Sequence, residues 1–323
     1  MVYIKEKSIN GKKYYYLAKS LRLPDGKLAS IEKSVGLDKI DAKKAFEDHK
    51  LFFLEKEKKL FQDFALKNYK ADSAFTEDQI RKIEGYKAEF RHLLNEFSPE
   101  DRKDLWDRFI ANFTYESNAI EGNSLTLKDV AIVIFQNQSI EGKELREIWE
   151  TKNSRDVMNR LLNGKYRFNE KGIIKLHADI MKNIDSRTGY KQFPNEVIGS
   201  RVKRTPPEKV KMEMSGLLEW KVAAVRTTHP LKVAAQLHGK FELIHPFSDG
   251  NGRVGRFLAL LLLHENGYPP IIIRKSQRHA YYKCLEDFFN GYPQNLERFF
   301  LDKYKKTYEK FFQGYKKYIL KRE

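Results

Sequence analysis

The stretch that decides the fold is HPFSDGNGRVGR, residues 245–256. Apolar residues recur at helical spacing on both sides of it, which predicts one helix over about residues 231–243 and another over about 251–264. Pro246 ends the first helix because its nitrogen has no hydrogen to donate. The glycines of the loop allow sharp backbone turns. The sequence therefore predicts two buried helices joined by a tight loop.

The residues of this loop predict an anion site with a base beside it. Free N–H groups and the positive dipole end of the second helix face the loop. Arg253 and Arg256 are three residues apart on one face, where two guanidiniums suit a polyphosphate. Asp249 is a hard oxygen ligand for Mg²⁺, and His245 can accept a proton near pH 7. The combination indicates nucleotide phosphoryl chemistry; the alternative is a structural turn capped by Asp249.

The same stretch resembles the signature of the Fic family, HPFx(D/E)GN(G/K)R, at every fixed position. The resemblance covers about residues 109–300 and implies a mainly α fold: a Fic-type helical domain with a short β flap. It also implies a protein adenylyltransferase, an enzyme that uses ATP and Mg²⁺ to transfer AMP to a Ser, Thr or Tyr hydroxyl of a target protein. Self-modification and removal of AMP from modified targets at the same site are the alternatives that the family leaves open.

The resemblance also implies a role for each matching residue. His245 is the general base and Asp249 holds Mg²⁺. The complete ending of the motif favours AMP transfer over phosphorylation. The implied nucleotide-binding residues are Asp249, Gly250, Asn251, Gly252, Arg253, Val254, Gly255 and Arg256 in the loop and helix, Ile198, Gly199 and Ser200 in the flap, and Tyr281 and Tyr282 beside adenine.

An upstream segment, SNAIEG at residues 117–122, fits the inhibitory pattern (S/T)xxxE(G/N) of the family. It falls at the end of a predicted helix, where Gly122 suits the position that follows the last helical turn. The resemblance implies that Ser117 and Glu121 belong to an inhibitory helix and that Glu121 pairs with Arg256. ATP would then bind with its α-phosphate poorly aligned for attack. The alternative is an ordinary exposed glutamate.

The rest of the chain predicts accessory segments around this domain. The 323 residues suffice for a full core and a small module. A β-prone run at Tyr14–Leu17 and a turn signal at Pro24–Lys27 predict a small antiparallel sheet, followed by a Lys/Glu-rich helix from Asp38 to about Leu60. The predicted domains are a sheet-and-helix module at 1–70, linking helices at 71–108, the Fic domain at 109–300 and a basic C-terminal helix at 301–323. Within the Fic domain we expect an inhibitory helix near 112–122 and a catalytic loop at 245–256.

Charge and composition leave a second function class open. Lys and Arg outnumber Asp and Glu by 61 to 44, a net charge of +17, which attracts nucleic acid non-specifically. The N-terminal sheet combines Tyr14 to Tyr16 with Lys12, Lys13, Lys19 and Arg22, and in pattern it resembles the DNA-binding arms of phage integrases. A nucleic-acid-binding regulator is therefore the alternative to the enzyme, and an adaptor for protein targets is the simpler interpretation of the module. The oligomeric state stays open, with a homodimer among the alternatives.

Composition also bears on the compartment. No apolar run reaches the length of a membrane span, and the N-terminus lacks the apolar segment of a secretory signal. The single cysteine, Cys284, fits a reducing environment. We therefore expect a cytoplasmic protein with no membrane partner.

Overall fold

A computed structural model describes residues 2–36, 42–195 and 202–315 of the chain. The chain divides into two compact units. The first is built mainly from Met1–Ala71 and Thr76–Glu96, and the second from Asp72–Phe75 and Phe97–Gly314. The first unit thus extends beyond the predicted module of residues 1–70, because it includes the helix that ends at Glu96.

The first unit is a small sheet covered on one face by helices. Its elements are β1 (Val2–Ile9), β2 (Lys12–Arg22), β3 (Leu28–Gly36), α1 (Ala42–Asp48), α2 (Lys50–Asn68) and α3 (Glu77–Glu96). The strands pair antiparallel in the order β1-β2-β3, which confirms the predicted sheet. Leu17, Leu21 and Ile31 point from one face of the sheet onto Phe53 of α2, because side chains alternate along a strand.

The predicted helix over residues 38–60 is two helices. α1 ends at Asp48 and α2 begins at Lys50, with His49 between them. The Lys/Glu-rich pattern runs on across this point, so periodicity alone gave no signal for the break. Residues 37–41 lie outside the described residues.

The second unit is helical, which confirms the predicted mainly α fold. Its elements are α4 (Pro99–Ile120), α5 (Leu127–Ala131) with a π-helical turn at Ile132–Gln136, α6 (Leu145–Leu162), α7 (Glu170–Met181), α8 (Pro207–Thr227), α9 (Pro230–Ile244), α10 (Asn251–Glu265), a 3-10 turn at Lys275–Gln277, α11 (Arg278–Phe289) and α12 (Pro293–Phe311). Both helices predicted beside the loop are present as α9 and α10.

Helix α10 is the central helix of this unit. All its residues from Arg253 to Leu263 are buried, as expected for a helix surrounded by other elements. Phe257 packs edge-on against Phe113 of α4, with ring centroids 5.0 Å apart. Burial of this helix on all sides fixes the position of its N-terminal end, where the motif lies.

Two sequence predictions fall partly or wholly outside the described residues. The flap at 197–200 lies in an undescribed segment. Of the predicted basic helix at 301–323, residues 301–311 form the second half of α12, which begins earlier, at Pro293, and ends at Phe311, and residues 316–323 lie outside the described residues. Within the described ranges, the helices are too short or too polar to cross a membrane.

Candidate active site

The loop between α9 and α10 is held in a fixed shape by the side chain of Asn251. Its Nδ2 donates to the carbonyl of Phe247 at 2.7 Å, and its Oδ1 accepts from the Phe247 N–H at 2.9 Å. His245 has a left-handed backbone conformation, with φ of 51°. A non-glycine residue rarely adopts this conformation, and such residues cluster at functional sites. The loop thus sets the direction in which His245 leaves the end of α9.

A second histidine supports the loop from α7. The ring of His177 stacks on that of Phe247, with centroids 3.8 Å apart, and its Nε2 lies 3.1 Å from the carbonyl oxygen of Asp249. Burial lowers the pKa of His177 to about 4. The ring is therefore neutral at pH 7 and donates its Nε2–H to the carbonyl. This histidine has a structural role.

Glycines allow the close approach that the site needs. Gly250 has φ of 79° and precedes the first turn of α10, and a Cβ there would lie 2.8 Å from the sulfur of Met181. A Cβ at Gly252 would collide with the carboxylate of Glu121. Larger residues at either position would displace the loop or the glutamate. The first N–H groups of α10 face a pocket as a result.

This pocket has a volume of about 700 Å³, within the usual range for a small-molecule site. Its wall combines the N-terminal end of α10 with polar residues from α6 and from the loop after α4. Residues lining it include Glu121, Arg146, Glu150, Asn195, His245, Ser248, Asp249, Gly250, Asn251, Gly252 and Arg253. The structure therefore brings the predicted base, the predicted metal ligand and most of the predicted anion site together.

Asp249 is ionised and well placed on the pocket wall. Its Oδ1 accepts from the Gly250 N–H at 2.6 Å, and its Oδ2 accepts from Nη2 of Arg146 at 2.5 Å. Burial alone would raise the pKa of Asp249, but the bond from Arg146 and the charge of Arg253 outweigh it and lower the pKa. A single carboxylate facing an anion pocket fits Mg²⁺ shared with phosphate oxygens. Among the described residues there is no cluster of three or more His, Cys, Asp and Glu that would hold a metal alone.

A buried carboxylate on α6 organises the arginines on this side of the pocket. Glu150 Oε1 lies 3.2 Å from Nε of Arg146 and 3.3 Å from Nη1 of Arg253, and its Oε2 accepts from Asn123 at 2.9 Å. Sequence reasoning missed Arg146, Glu150 and Asn123. Their positions relative to the loop depend on how α6 packs against α10, and no local motif marks them.

The second arginine of the motif points to α4. Arg256 Nη2 lies 2.8 Å from Glu121 Oε1 and also donates to the carbonyl of Ser117 at 2.8 Å, while its Nε donates to Ser117 Oγ at 2.9 Å. Burial would lower the pKa of Arg256, but Glu121 outweighs it and raises the pKa. The predicted partners Ser117, Glu121 and Arg256 are thus in contact. Glu121 directly follows α4, and Gly122 has φ of 106°, as the cap pattern predicts.

Three of the predicted nucleotide contacts lie in the interior. Val254 is fully buried, and Gly255 packs against His238 and Glu242 of α9. The hydroxyl of Tyr281, which is only 1% exposed, lies 2.7 Å from Nε2 of His238. Tyr282 is half-buried beneath the guanidinium of Arg278. The flap residues Ile198, Gly199 and Ser200 lie outside the described residues.

Fold and site together define a helical domain with an anion pocket at the N-terminal end of a buried helix and a histidine base beside it. Residues 167–263 match the sequence profile of the Fic/DOC family, so this part of the chain is a Fic domain. The family predicted from HPFSDGNGR is confirmed.

Relatives and solved structures agree with this assignment. The chain is 33% identical over 198 residues to the protein adenylyltransferase Fic of Drosophila erecta, covering 60% of this chain and 40% of that protein. It is 29% identical over 220 residues to the protein adenylyltransferase fic-1 of Caenorhabditis elegans, covering 66% and 42%. The chain therefore spans about two fifths of the length of these curated relatives.

Two solved structures share the fold. A Fic domain containing signaling protein from Bacteroides thetaiotaomicron superposes with a TM-score of 0.62 at 24% identity, covering 69% of this chain and 94% of that one. Fic-1 of C. elegans gives a TM-score of 0.62 at 24% identity, covering 72% and 70%. At this identity the likeness establishes the fold.

Proposed function

We propose that this protein is an adenylyltransferase that transfers AMP from ATP to a Ser, Thr or Tyr hydroxyl of a target protein. The observation that carries the proposal is the position of His245 beside the open N-terminal end of α10, with Asp249 and Arg253 on the same pocket wall. A base, an anion-binding helix end and a carboxylate for Mg²⁺ are the groups that this reaction needs. The names of the relatives support the same activity.

The step follows from these positions. The target hydroxyl oxygen attacks the α-phosphorus of ATP, and its proton passes to His245. A bond forms between that oxygen and the α-phosphorus, while the bond from the α-phosphorus to the oxygen bridging to the β-phosphate breaks, and pyrophosphate leaves. Amides at the start of α10 stabilise the negative charge on the α-phosphate. When bound, Mg²⁺ held by Asp249 would neutralise further phosphate charge.

Glu121 acts in this proposal as an inhibitor of the same site. Its carboxylate occupies Arg256, which would otherwise be available to the terminal phosphate of ATP. Arg256 is also bonded to Ser117 at two atoms, so the closed arrangement is well defined. ATP then binds without the alignment that places its α-phosphorus in line with the hydroxyl.

The proposal is tested by the intact mass of the protein after incubation with Mg-ATP. The variants are wild type, Glu121→Gly, and Glu121→Gly combined with His245→Ala. We expect a gain of roughly 329 Da per AMP in Glu121→Gly alone, because transfer requires both the base and release of the inhibitor. A gain of phosphate-sized mass would indicate a kinase. The alternative reaction, removal of AMP, would appear as loss of the added mass when modified Glu121→Gly protein is incubated with wild type.

The finer assignments of substrate contacts are part of the same proposal. We place the adenine near Tyr282 and the target segment along the flap at Ile198, Gly199 and Ser200, as the resemblance implies. If Tyr282→Ala binds ATP as tightly as wild type does, the assignment of adenine to Tyr282 is removed. The flap is tested by the affinity of Gly199→Pro for a target peptide, because proline prevents strand pairing. An affinity equal to that of wild type would remove the flap assignment.

Nucleic-acid binding by the first unit is the second candidate function. The strand register places Tyr14 and Tyr16 of β2 beside Lys7 and Lys5 of β1, on the face of the sheet opposite Phe53. Lys19 takes no part, because it points to the other face and pairs with the buried Glu57. Lys5 and Lys7 both pair with Glu32, whereas Lys12 and Arg22 alternate along β2 onto the face of Tyr14 and Tyr16. An electrophoretic shift of duplex DNA by the full chain, weakened by salt and by Lys12→Glu with Arg22→Glu, would support this function.

A further inference from the structure

We propose that Glu242 is a positioning residue for His245: its carboxylate holds the inner edge of the imidazole ring, so that Nε2 faces the pocket and receives the proton of the attacking hydroxyl. The inference rests on the proposed AMP transfer, in which His245 is the base. It concerns a residue that no motif match assigns to the reaction.

The geometry of the pair carries the inference. Glu242 lies on α9 three residues before His245, and its Oε2 is 3.7 Å from His245 Nδ1. Nδ1 is fully buried, whereas His245 as a residue lines the pocket. The ring therefore turns its Nδ1 edge toward Glu242 and presents its other edge to the ligand.

Glu242 is a buried carboxylate, and one of its two oxygens lacks a hydrogen-bond donor. It is only 7% exposed, and its Oε1 accepts no hydrogen bond from the residues that the structure describes. A buried carboxylate is costly unless a donor or a cation faces it. When His245 accepts the hydroxyl proton, its ring becomes an imidazolium whose Nδ1–H faces this carboxylate. The neutral ring that accepts at Nε2 already carries a hydrogen on Nδ1, so proton transfer adds the positive charge that Glu242 stabilises, which favours the transfer.

The groups that face Glu242 are His238 on α9, His245 directly after it, Arg256 on α10, Tyr281 on α11 and Arg204 in the segment before α8. The guanidinium of Arg204 stacks on the ring of Phe289, 4.6 Å from its centroid, and its buried Nε and Nη1 have no hydrogen-bond partner among the described residues. Arg256 is bonded to Ser117 and Glu121. Burial lowers the pKa of His238, so its ring stays neutral, with Nε2 beside the Tyr281 hydroxyl. His245 is the neighbour that changes charge during the reaction.

An independent observation shows that the fold makes room for this carboxylate. A Cβ at Gly255 would lie 2.9 Å from Glu242 Oε1 and 2.8 Å from His238 Nδ1, which is closer than real side chains approach. Gly255 belongs to the motif and was predicted to contact the nucleotide. Its position against α9 instead gives Glu242 the space to reach toward His245.

The kinetic test uses Glu242→Gln, which keeps the shape of the side chain and removes its charge, in the active Glu121→Gly background. We expect kcat to fall at least about 10-fold with little change in KM for ATP, because Glu242 does not line the pocket. We also expect the low-pH midpoint of the rate profile to move down, since loss of the carboxylate beside Nδ1 disfavours the protonated ring. An unchanged midpoint would overturn the proposal.

Glu297→Gln is the matched control. Glu297 is also a buried carboxylate, 3% exposed, and it bonds Gln236 and Lys232 away from the pocket. Its removal should leave the midpoint of the rate profile in place. Glu242→Asp, which keeps the charge at a longer distance, should give an intermediate midpoint. A role in folding alone would lower the yield or the melting temperature of both Glu242 variants without moving the midpoint.

A second measurement separates this proposal from the proposed function. The His245 ring signal, identified by its loss in His245→Ala, is titrated by NMR in wild type and in Glu242→Gln without nucleotide. A lower titration midpoint in Glu242→Gln supports the pair, and equal midpoints overturn it. If Glu121→Gly transfers no AMP, the proposed function fails, but the NMR result still decides whether Glu242 and His245 interact.

Discussion

Glu121 Oε1, just past the end of α4, lies 2.8 Å from Nη2 of Arg256 in the second turn of α10. The orientation of the same guanidinium is also fixed by Ser117, whose hydroxyl and carbonyl oxygens both accept hydrogen bonds from it. Arg256 is buried and Glu121 is exposed, so loss of Glu121 leaves a buried guanidinium without its carboxylate, which is costly. The contact thus ties the end of α4 to the second turn of α10, and in the proposed function its strength sets how strongly Glu121 inhibits the site.

Ser117→Ala should release part of this closure. The substitution removes the hydroxyl that accepts from Arg256 Nε but leaves Glu121 in place. A hydrogen bond to a charged group contributes about 1.5 kcal/mol or more, so we expect AMP incorporation to rise up to about 10-fold, less than in Glu121→Gly. The measurement is the initial rate of AMP incorporation. Thr114→Ala is the control on the same helix, because the buried hydroxyl of Thr114 has no hydrogen-bond partner among the described residues, and this variant should match wild type.

Arg146→Ala should change how the site binds a divalent cation. Nη2 of Arg146 occupies Oδ2 of Asp249, the carboxylate proposed to hold Mg²⁺. Without the guanidinium we expect Mn²⁺ to bind several-fold more tightly in the presence of a non-hydrolysable ATP analogue, as measured by electron paramagnetic resonance. Arg160→Ala, on the same helix but paired with Asp179, should have no effect. Weaker Mn²⁺ binding in Arg146→Ala would mean that Arg146 orients the carboxylate for the metal.

The stability of the first unit should fall at mildly acidic pH. Burial lowers the pKa of His92, which is 4% exposed, below its value in the unfolded chain of about 6.5. The unfolded state therefore binds more protons, so stability is fully present above pH 6.5 and is lost as the pH falls below it. Urea unfolding at pH 7 and pH 5 should show a smaller loss in His92→Gln than in wild type. His279→Gln, at an exposed histidine, should show the wild-type loss.

Two glycines inside helices should respond in opposite ways to alanine. A Cβ at Gly239 of α9 would lie 2.7 Å from the ring of Phe288, so Gly239→Ala should destabilise the protein by about 1–3 kcal/mol. At Gly216 of α8 a Cβ would meet nothing within 4 Å, so Gly216→Ala should stabilise by about 0.5–1 kcal/mol. Thermal melting of both variants tests the packing of α9, the helix that carries His245. Equal effects would show that α9 and α11 are not packed as described.

Local sequence was a good guide where the decisive interactions are themselves local. The β-prone run at Tyr14–Leu17 and the turn at Pro24–Lys27 predicted the antiparallel sheet, because strand propensity and turn conformation follow from neighbouring residues. The same kind of signal was misleading for the helix after residue 37. A continuous amphipathic pattern cannot show that the chain breaks at His49, since the break depends on what each half packs against.

The active-site loop shows the same division. The sequence alone predicted that Pro246 ends one helix, that glycines let the loop turn sharply, and that the next helix begins at about Asn251, because each depends on backbone sterics within a few residues. It also placed His245 and Asp249 within one short loop. These residues carry the family signature, so the family and the proposed reaction could be predicted before the fold was known.

Tertiary structure alone decided which partners these residues have. Arg146 meets Asp249 across 103 residues of chain, and Ser117 meets Arg256 across 139. Glu242 was within reach of sequence reasoning, since it lies one helical turn before His245, but only the packing of Gly255 against α9 shows that its carboxylate is buried there. Contacts between distant helices depend on how side chains fill the space between them, and that depends on the whole core rather than on any one segment.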